Sequence, residues 1–137
     1  MFKLLKILGA RCNAPEIVEI EVELDAECFP GRFYTIEGGK LKNNDGSTNC
    51  AIFVPIQYYG ELFSTEKIKG YFVTSDMVFE GDLLGGLETV RAGSKLSANI
   101  NESEVVDGVL SVAGDFAYAV DIKEYEKSGK ISFRLAV

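Results

Sequence analysis

The chain has 137 residues, with 14 lysines and arginines against 21 aspartates and glutamates, no histidine and no tryptophan. Its length and its 47% hydrophobic content are enough to bury a core as one domain, so a disordered chain is not expected. The absence of histidine excludes Ser-His-Asp and Cys-His nucleophilic sites and removes the commonest zinc ligand. The net charge of −7 argues against a nucleic-acid partner, because such partners are bound mainly through Lys and Arg contacts to phosphate.

The cysteines and the N-terminal residues indicate the cellular setting. The spacing of Cys12, Cys28 and Cys50 fits neither a redox pair nor a zinc ligand set, so we expect reduced, mostly buried thiols, or else one disulfide with a spare thiol. Lys6 interrupts the first apolar run, which argues against a signal peptide. No apolar run approaches the roughly 20 residues needed to cross a bilayer, so we expect a soluble protein without a membrane partner.

Most of the chain has the pattern of short β-strands. Residues 17–24 alternate apolar residues with glutamates, as a half-buried strand does. Residues 32–37 run into Gly38-Gly39 and a strand at 40–42, which predicts a two-residue hairpin. Further strands are predicted at 50–56, 67–75, 77–84, 95–98, 109–113, 116–123 and 130–137. Two segments, 2–8 and 58–69, are the candidates for a short helix.

These segments predict one mainly-β domain over residues 1–137, an antiparallel β-barrel or β-sandwich with little helix. A faint internal echo relates Phe29–Phe33 (FPGRF) to Phe79–Leu83 (FEGDL), since a short strand, a glycine and Lys-Leu follow each. The same β-turn-β unit is therefore expected twice, with chance similarity of turn residues as the alternative.

The order of turns and strands in the second half provides a family resemblance. Its segments are Phe79–Leu83, Val90–Leu96, Gly108–Asp115, Phe116–Asp121 and Gly129–Leu135. This order resembles the small β-barrel decoration (cement) proteins of tailed-phage heads and prophage capsids. That family has an entry glycine turn, a Gly-Lys-Val/Leu strand, an Ala-Gly-Asp turn and a final strand ending in Val-Arg-Leu. The resemblance covers roughly residues 27–41 and 79–137. Residues 55–75 have no place in its short versions, which implies either an insertion, at 57–75, or a different member of the β-rich phage structural proteins.

The resemblance implies a binding role without catalysis or cofactor. Such proteins sit as monomers or trimers on the outer face of an assembled major-capsid lattice and stabilise it against internal DNA pressure. The expected partners are thus the major capsid protein or other virion subunits, with self-association as a homo-oligomer, and the expected location is the virion surface. Two alternatives stay open: a β-barrel that holds a small molecule as a binding protein or enzyme, and a tail or head-completion component of a virion.

An acidic run and a group of aromatic residues are the candidate interaction residues. Glu19, Glu21 and Glu23 belong to a run of acids that predicts either a solvated strand face or a surface that docks to a basic partner and deters unwanted edge pairing. Aromatic enrichment marks interface cores as well as protein cores. Tyr58 and Tyr59 are the chosen contact residues, with Phe63 behind them.

Three further segments are tested for a site or a contact. Residues 1–12 are interpreted as an N-terminal arm that either packs as the first strand or reaches a neighbouring subunit. The polar loop at 43–49 contains oxygen ligands but lacks the spacing of an EF-hand, so it is interpreted mainly as a turn, and no metal is expected. The carboxylates Asp76, Glu80, Asp82 and Glu88 are a weak glycosidase candidate, because no tryptophan is present to stack a sugar.

Overall fold

A computed structural model describes residues 1–9, 14–85, 89–102, 104–121 and 130–137, and more than half of these residues lie in β-strands. The strands are β1 (Lys3–Ile7), β2 (Val18–Leu24), β3 (Tyr34–Glu37), β4 (Lys40–Asn43), β5 (Ala51–Pro55), β6 (Thr65–Phe72), β7 (Met77–Leu84), β8 (Lys95–Asn101), β9 (Glu104–Val112), β10 (Ala117–Asp121) and β11 (Lys130–Leu135). The prediction of a mainly-β fold with little helix is confirmed. Within the described ranges, no helix is long and apolar enough to span a membrane.

The strands close into two barrels with the same topology. The first barrel has the strand order β2-β4-β3-β5-β6, and the second has the order β7-β9-β8-β10-β11, closed by the pairing of β7 with β9. In each barrel the first strand runs parallel to the third, whereas the other described pairings are antiparallel. The sequence predicted antiparallel strands but not these two parallel pairs, because a parallel pair joins segments that are distant in sequence.

The register of the strands gives the equivalent positions of the two barrels. Leu24 pairs with Leu41 across the first parallel pair, and Leu83 pairs with Leu110 across the second. All four side chains are buried. Superposing Leu24 on Leu83 also places Ile20 on Phe79, and these residues pair with Ile68 and Phe133 on the fifth strands. The two barrels thus share register as well as strand order.

The echo predicted from the glycine turns lies at the wrong positions. Phe29–Phe33 falls in the connection between β2 and β3, whereas Phe79–Leu83 lies inside β7. The two segments are therefore not equivalent positions of the two barrels. The repeat that the structure contains relates residues 18–72 to residues 77–135 and leaves little sequence similarity, because strand pairing depends on burial pattern more than on residue identity.

Both helix candidates are strands or turns. Residues 3–7 form β1, which pairs with β7, and Phe2 is buried against the second barrel. Residues 10–12 of the predicted N-terminal arm lie outside the described residues. The segment 58–69 is a loop followed by the first part of β6. β6 closes the first barrel, so the segment interpreted as an insertion contributes a strand that the barrel requires.

The predicted hairpin at Gly38-Gly39 is confirmed. Glu37 pairs with Lys40 across it, and the two glycines have φ angles of 58° and 76°. Two positive φ angles define the type I′ turn, whose twist matches that of the flanking strands.

The hydrophobic cluster of the second barrel also contains residues of the first barrel. The first barrel encloses its own cluster around Tyr34 and Phe53. On β5 the neighbouring residues Ile52 and Val54 face the opposite way and join the cluster of the second barrel. Because β5 is buried on both faces, its sequence is a continuous apolar run instead of an alternating one.

Phe33 holds the barrels together. This residue precedes β3 of the first barrel, but its ring packs among those of Phe2, Phe79 and Phe116, at centroid distances of 4.7, 5.1 and 6.1 Å. Arg32 donates a hydrogen bond to Asp107 on β9 over 3.2 Å. The barrels are therefore one folding unit in this structure.

Candidate interaction surface

The connection between β5 and β6, residues 56–64, is held by backbone hydrogen bonds to the end of β2 and the loop after it. The amide of Phe63 donates to the carbonyl of Leu24 over 2.7 Å, and the amide of Leu24 donates to the carbonyl of Ser64 over 3.0 Å. Tyr59 and Cys28 exchange two backbone hydrogen bonds of 2.8 and 3.0 Å. The loop is thus a fixed extension of the first barrel, with a defined outer surface.

The loop exposes several large apolar side chains. Four side chains, which we call the loop patch, are exposed: Ile56 (46%), Tyr58 (52%), Leu62 (44%) and Phe63 (72%). Single exposed apolar residues are ordinary on a protein surface, but four from one nine-residue loop mark a candidate contact surface.

Phe63 has the least favourable backbone conformation of the patch. Its φ angle is +63°, in the left-handed region that bulky residues rarely occupy. Strain of this kind costs about 1 to 3 kcal/mol and is concentrated at functional sites. Because the ring is exposed, core packing does not account for phenylalanine at a position that glycine would adopt freely.

The three aromatic residues predicted as contacts differ in role. Tyr58 and Phe63 are exposed, and Phe63 has the larger exposed fraction, so the expectation that Phe63 lies behind the tyrosines is wrong. Tyr59 is half-buried, and its hydroxyl accepts a hydrogen bond from the Lys69 amide over 2.8 Å. Tyr59 therefore fixes the loop to β6, while Tyr58 and Phe63 form its surface.

Neighbouring residues hold the base of the loop patch. The Tyr58 ring lies 5.3 Å from the Phe29 ring, and the Arg32 guanidinium lies 4.5 Å from the centroid of the same Phe29 ring. The Tyr58 hydroxyl donates to the carboxylate of Glu27, and this hydrogen bond raises the pKa of Tyr58. These contacts fix the Tyr58 side chain before any partner arrives, which lowers the entropy cost of binding.

The acidic residues predicted on β2 lie on the outer surface of the strand, and two of them are paired in register with lysines of β6. In register with β6, Glu19 lies opposite Lys69 and Glu21 lies opposite Lys67. Glu19 and Lys69 approach to 3.9 Å. Glu23 is half-buried. On the β6 side, this face is therefore charge-balanced across strands, as expected of a solvated sheet.

The buried thiol of the first barrel is not activated. Burial, and to a smaller degree the charge of Glu27, raises the pKa of Cys28 to about 12, so the nucleophilic thiolate is suppressed at neutral pH. Cys28 and Cys50 are free thiols, and Cys12 lies outside the described residues.

The oxygen-rich loop at 43–49 uses its oxygens internally. Asn44 is 1% exposed, and its amide donates to the Thr35 hydroxyl and the Ser47 carbonyl over 2.9 and 3.0 Å. Its carbonyl oxygen accepts the Gly46 amide over 2.9 Å. In the described part of the chain, no group of three metal-ligating side chains is present. The loop is an Asx turn that closes the end of the β3-β4 hairpin.

Two of the carboxylates considered for acid–base chemistry, Glu80 and Asp82, lie two residues apart on β7, and both are half-buried. Asp82 is held by Lys130 at 2.8 Å on the outside of β7, and Asp76 lies in the turn before that strand. Glu88 is outside the described residues.

Large side chains fill the interiors of both barrels. In the first barrel these are Tyr34, Phe53, Leu24, Leu41 and Ile68, and in the second Phe79, Phe133, Leu96, Leu110 and Ile131. A gap of about 10 Å³ beside Phe2, Phe33 and Asp107 is about the size of one water.

Sequence reasoning missed Ile56 and Leu62 as parts of the loop patch. The sequence contained a sign of this exposure. Leu62 and Phe63 are two consecutive apolar residues in a short segment between Gly60 and Ser64, and such a segment usually holds polar turn residues. Comparisons of the chain with protein-family models, with curated proteins and with solved structures found no match.

Proposed function

We propose that this chain is a non-enzymatic structural protein that attaches through the loop patch to the outer surface of an assembled protein lattice. The observation that carries the proposal is Phe63, exposed and strained in a loop whose backbone is fixed by hydrogen bonds. Interface hot spots are typically aromatic side chains that enter a pocket on the partner.

The phage capsid is the lattice to test first. The turn and strand order of the second half resembles capsid decoration proteins, and the major capsid protein is the partner that this resemblance implies. The filled barrel interiors favour attachment to a partner protein over the alternative of a small molecule inside the barrel, since small-molecule sites need a cavity of several hundred Å³. Self-association as a homo-oligomer, with a trimer among the candidates, belongs to the same proposal.

The direct test is co-sedimentation with capsids assembled from the major capsid protein of the phage or prophage that the proposal implies. Light scattering of the free protein gives its mass beforehand. Saturable binding at a fixed number of copies per capsomer is expected. A protein that stays in the supernatant at every concentration would overturn the proposal.

The variant Phe63→Gly separates attachment from folding. Glycine removes the ring and relieves the left-handed strain, so the free energy of unfolding is expected to stay equal or to rise by up to about 1 kcal/mol. Capsid binding is expected to weaken at least tenfold, which is typical of a lost hot-spot aromatic.

Leu84→Ser is the matched control for this variant. Leu84 is an exposed apolar residue at the end of β7 in the second barrel, away from the loop patch. Its substitution is expected to leave capsid binding unchanged. Equal loss of binding in both variants would show that general surface hydrophobicity, not the loop patch, drives attachment.

A further inference from the structure

The equivalence of the two barrels exposes a difference at one strand edge. In the second barrel, β9 pairs with the C-terminal half of β7 through Asp82–Leu84, and β1 pairs with the N-terminal half through Met77–Glu80. In the first barrel, β4 pairs with β2 only at Glu23 and Leu24. In the described part of the chain, no strand lies beside Val18–Val22 on that edge.

The backbone of β2 is oriented to accept a strand there. The amides of Glu23 and Asp25 donate toward the β4 side, to the carbonyls of Gly39 and Leu41 over 3.0 and 2.8 Å. Backbone directions alternate along a strand, so the amides and carbonyls of Glu19 and Glu21 point to the same open edge. An open edge with unpaired backbone groups is a template for strand addition.

The pairing of β1 with β7 shows which chemistry fits the edge. By the superposition of Leu24 on Leu83, Glu21 is equivalent to Glu80, and Glu80 pairs with Lys3 of β1. On the same edge of β2, Glu23 lies in register with Lys40. Glu80 and Glu23 thus each lie opposite a lysine of the neighbouring strand. On β1, the apolar residue Leu4 follows Lys3.

We propose that the Val18–Val22 edge of β2 binds an extended strand of a partner protein in which Lys or Arg alternates with apolar residues. The basic side chains lie opposite Glu19 and Glu21, and main-chain hydrogen bonds supply the pairing. This surface is separate from the loop patch, so the inference stands without the proposed function.

The chain's own β1 in a second copy is not the occupant, because β1 is already paired with β7 and Phe2 beside it is 3% exposed. Release of β1 would expose Phe2 and the edge of β7 together. A strand from another protein can bind without exposing Phe2 or the edge of β7.

The test is a titration of the isotope-labelled full chain with the end-blocked peptide Lys-Val-Lys-Ile-Lys-Val, followed by amide NMR shifts. Saturable shifts at residues 18–22 are expected. Two peptides serve as controls: one with glutamate in place of lysine, and one N-methylated at alternate residues, which keeps the charge but blocks strand pairing. Both are expected to bind at least tenfold more weakly.

A charge exchange in the protein provides the matched variant. Glu19→Lys with Glu21→Lys is expected to reverse the preference, so that the glutamate peptide binds and the lysine peptide does not. Asp115→Lys with Glu104→Lys, an equal change of charge on the second barrel, is expected to leave the lysine peptide bound as before.

Several outcomes would overturn the proposal. Equal binding of the N-methylated peptide would mean that charge alone attracts it. Shifts at β1 and β7 would mean that the peptide displaces β1. Shifts at residues 18–22 on concentrating the chain alone would identify a second copy as the occupant.

Discussion

The two barrels have the same strand order and register but expose different surfaces. In the first barrel Val22 fills the interior beside Leu24; the equivalent position in the second barrel is Gly81, where an added Cβ would lie 3.1 Å from the Phe2 ring. Phe2 therefore occupies the space that a side chain at residue 81 would take, and β1 covers the edge of β7. In the described part of the chain the first barrel has neither feature: its edge has no covering strand, and it carries the loop patch. The same strand arrangement thus gives a second barrel whose first strand has a covered edge, and a first barrel that exposes a strand edge and an apolar loop.

The largest expected effect comes from breaking the contact between the barrels. Phe33→Ala removes a ring that packs against Phe2, Phe79 and Phe116, and truncations of buried phenylalanine cost about 3 to 5 kcal/mol. We expect a loss of this size in chemical denaturation, still in one transition because the core is shared. The exposed Phe63→Ala is the control, with a change within about 0.5 kcal/mol. Two separate transitions would contradict a shared core.

Filling the space at residue 81 sharpens the comparison. Gly81→Val makes the second barrel resemble the first and is expected to displace Phe2, at a cost of about 1 to 3 kcal/mol from overpacking. Hydrogen exchange of residues 3–7 should become faster as β1 leaves β7. Unchanged protection of β1 would show that Phe2 does not anchor it.

Alkaline pH is expected to destabilise the fold through three buried groups that lie in the first barrel. Burial raises the pKa of Cys28 from 9.0 to about 12, and the pKa values of Tyr34 and Tyr71 from 10.0 to about 12. These groups stay protonated in the folded chain after the unfolded chain has lost their protons, so stability falls from pH 9 toward pH 12. The slope approaches about 1.4 kcal/mol per pH unit for each group.

Cys28→Ala tests the lower part of this window. The variant is less stable at neutral pH because it loses a buried side chain, but its stability should fall less between pH 9 and 10 than that of the parent chain. Denaturant titrations at pH 8, 9 and 10 give the slopes. Identical slopes for the two proteins would show that the Cys28 thiol does not titrate as its burial requires.

The smallest effect is expected at the acidic face. Glu19→Gln removes one exposed ion pair with Lys69 and should change the free energy of unfolding by less than about 1 kcal/mol. Thermal unfolding at low and at high salt measures it, and the small difference should vanish at high salt. A loss above 2 kcal/mol would mean that the face is a structural element of the barrel.

Local patterns were enough to predict most strands, but not their arrangement. The alternation of residues 17–24 and the Gly38-Gly39 turn predicted β2 and the β3-β4 hairpin, because burial of one face and positive φ are local requirements. Residues 2–8 were ambiguous, since strand pairing with β7 decides their conformation.

The division into two barrels depends on two parallel pairs between distant segments, which local patterns do not encode. At the candidate site, Tyr58 and Phe63 were identified as aromatic residues, but their exposure was not. Exposure depends on the hydrogen bonds that tie the loop to Leu24 and Cys28, and these join residues far apart in sequence.

The most direct test of the account is a hydrogen-exchange footprint of the chain bound to assembled capsids. Attachment through the loop patch predicts new protection at residues 56–64 of the first barrel, while the turn at residues 113–115 of the second barrel exchanges as in the free protein. Protection confined to the second barrel, or no protection at residues 56–64 in a saturated complex, would contradict it.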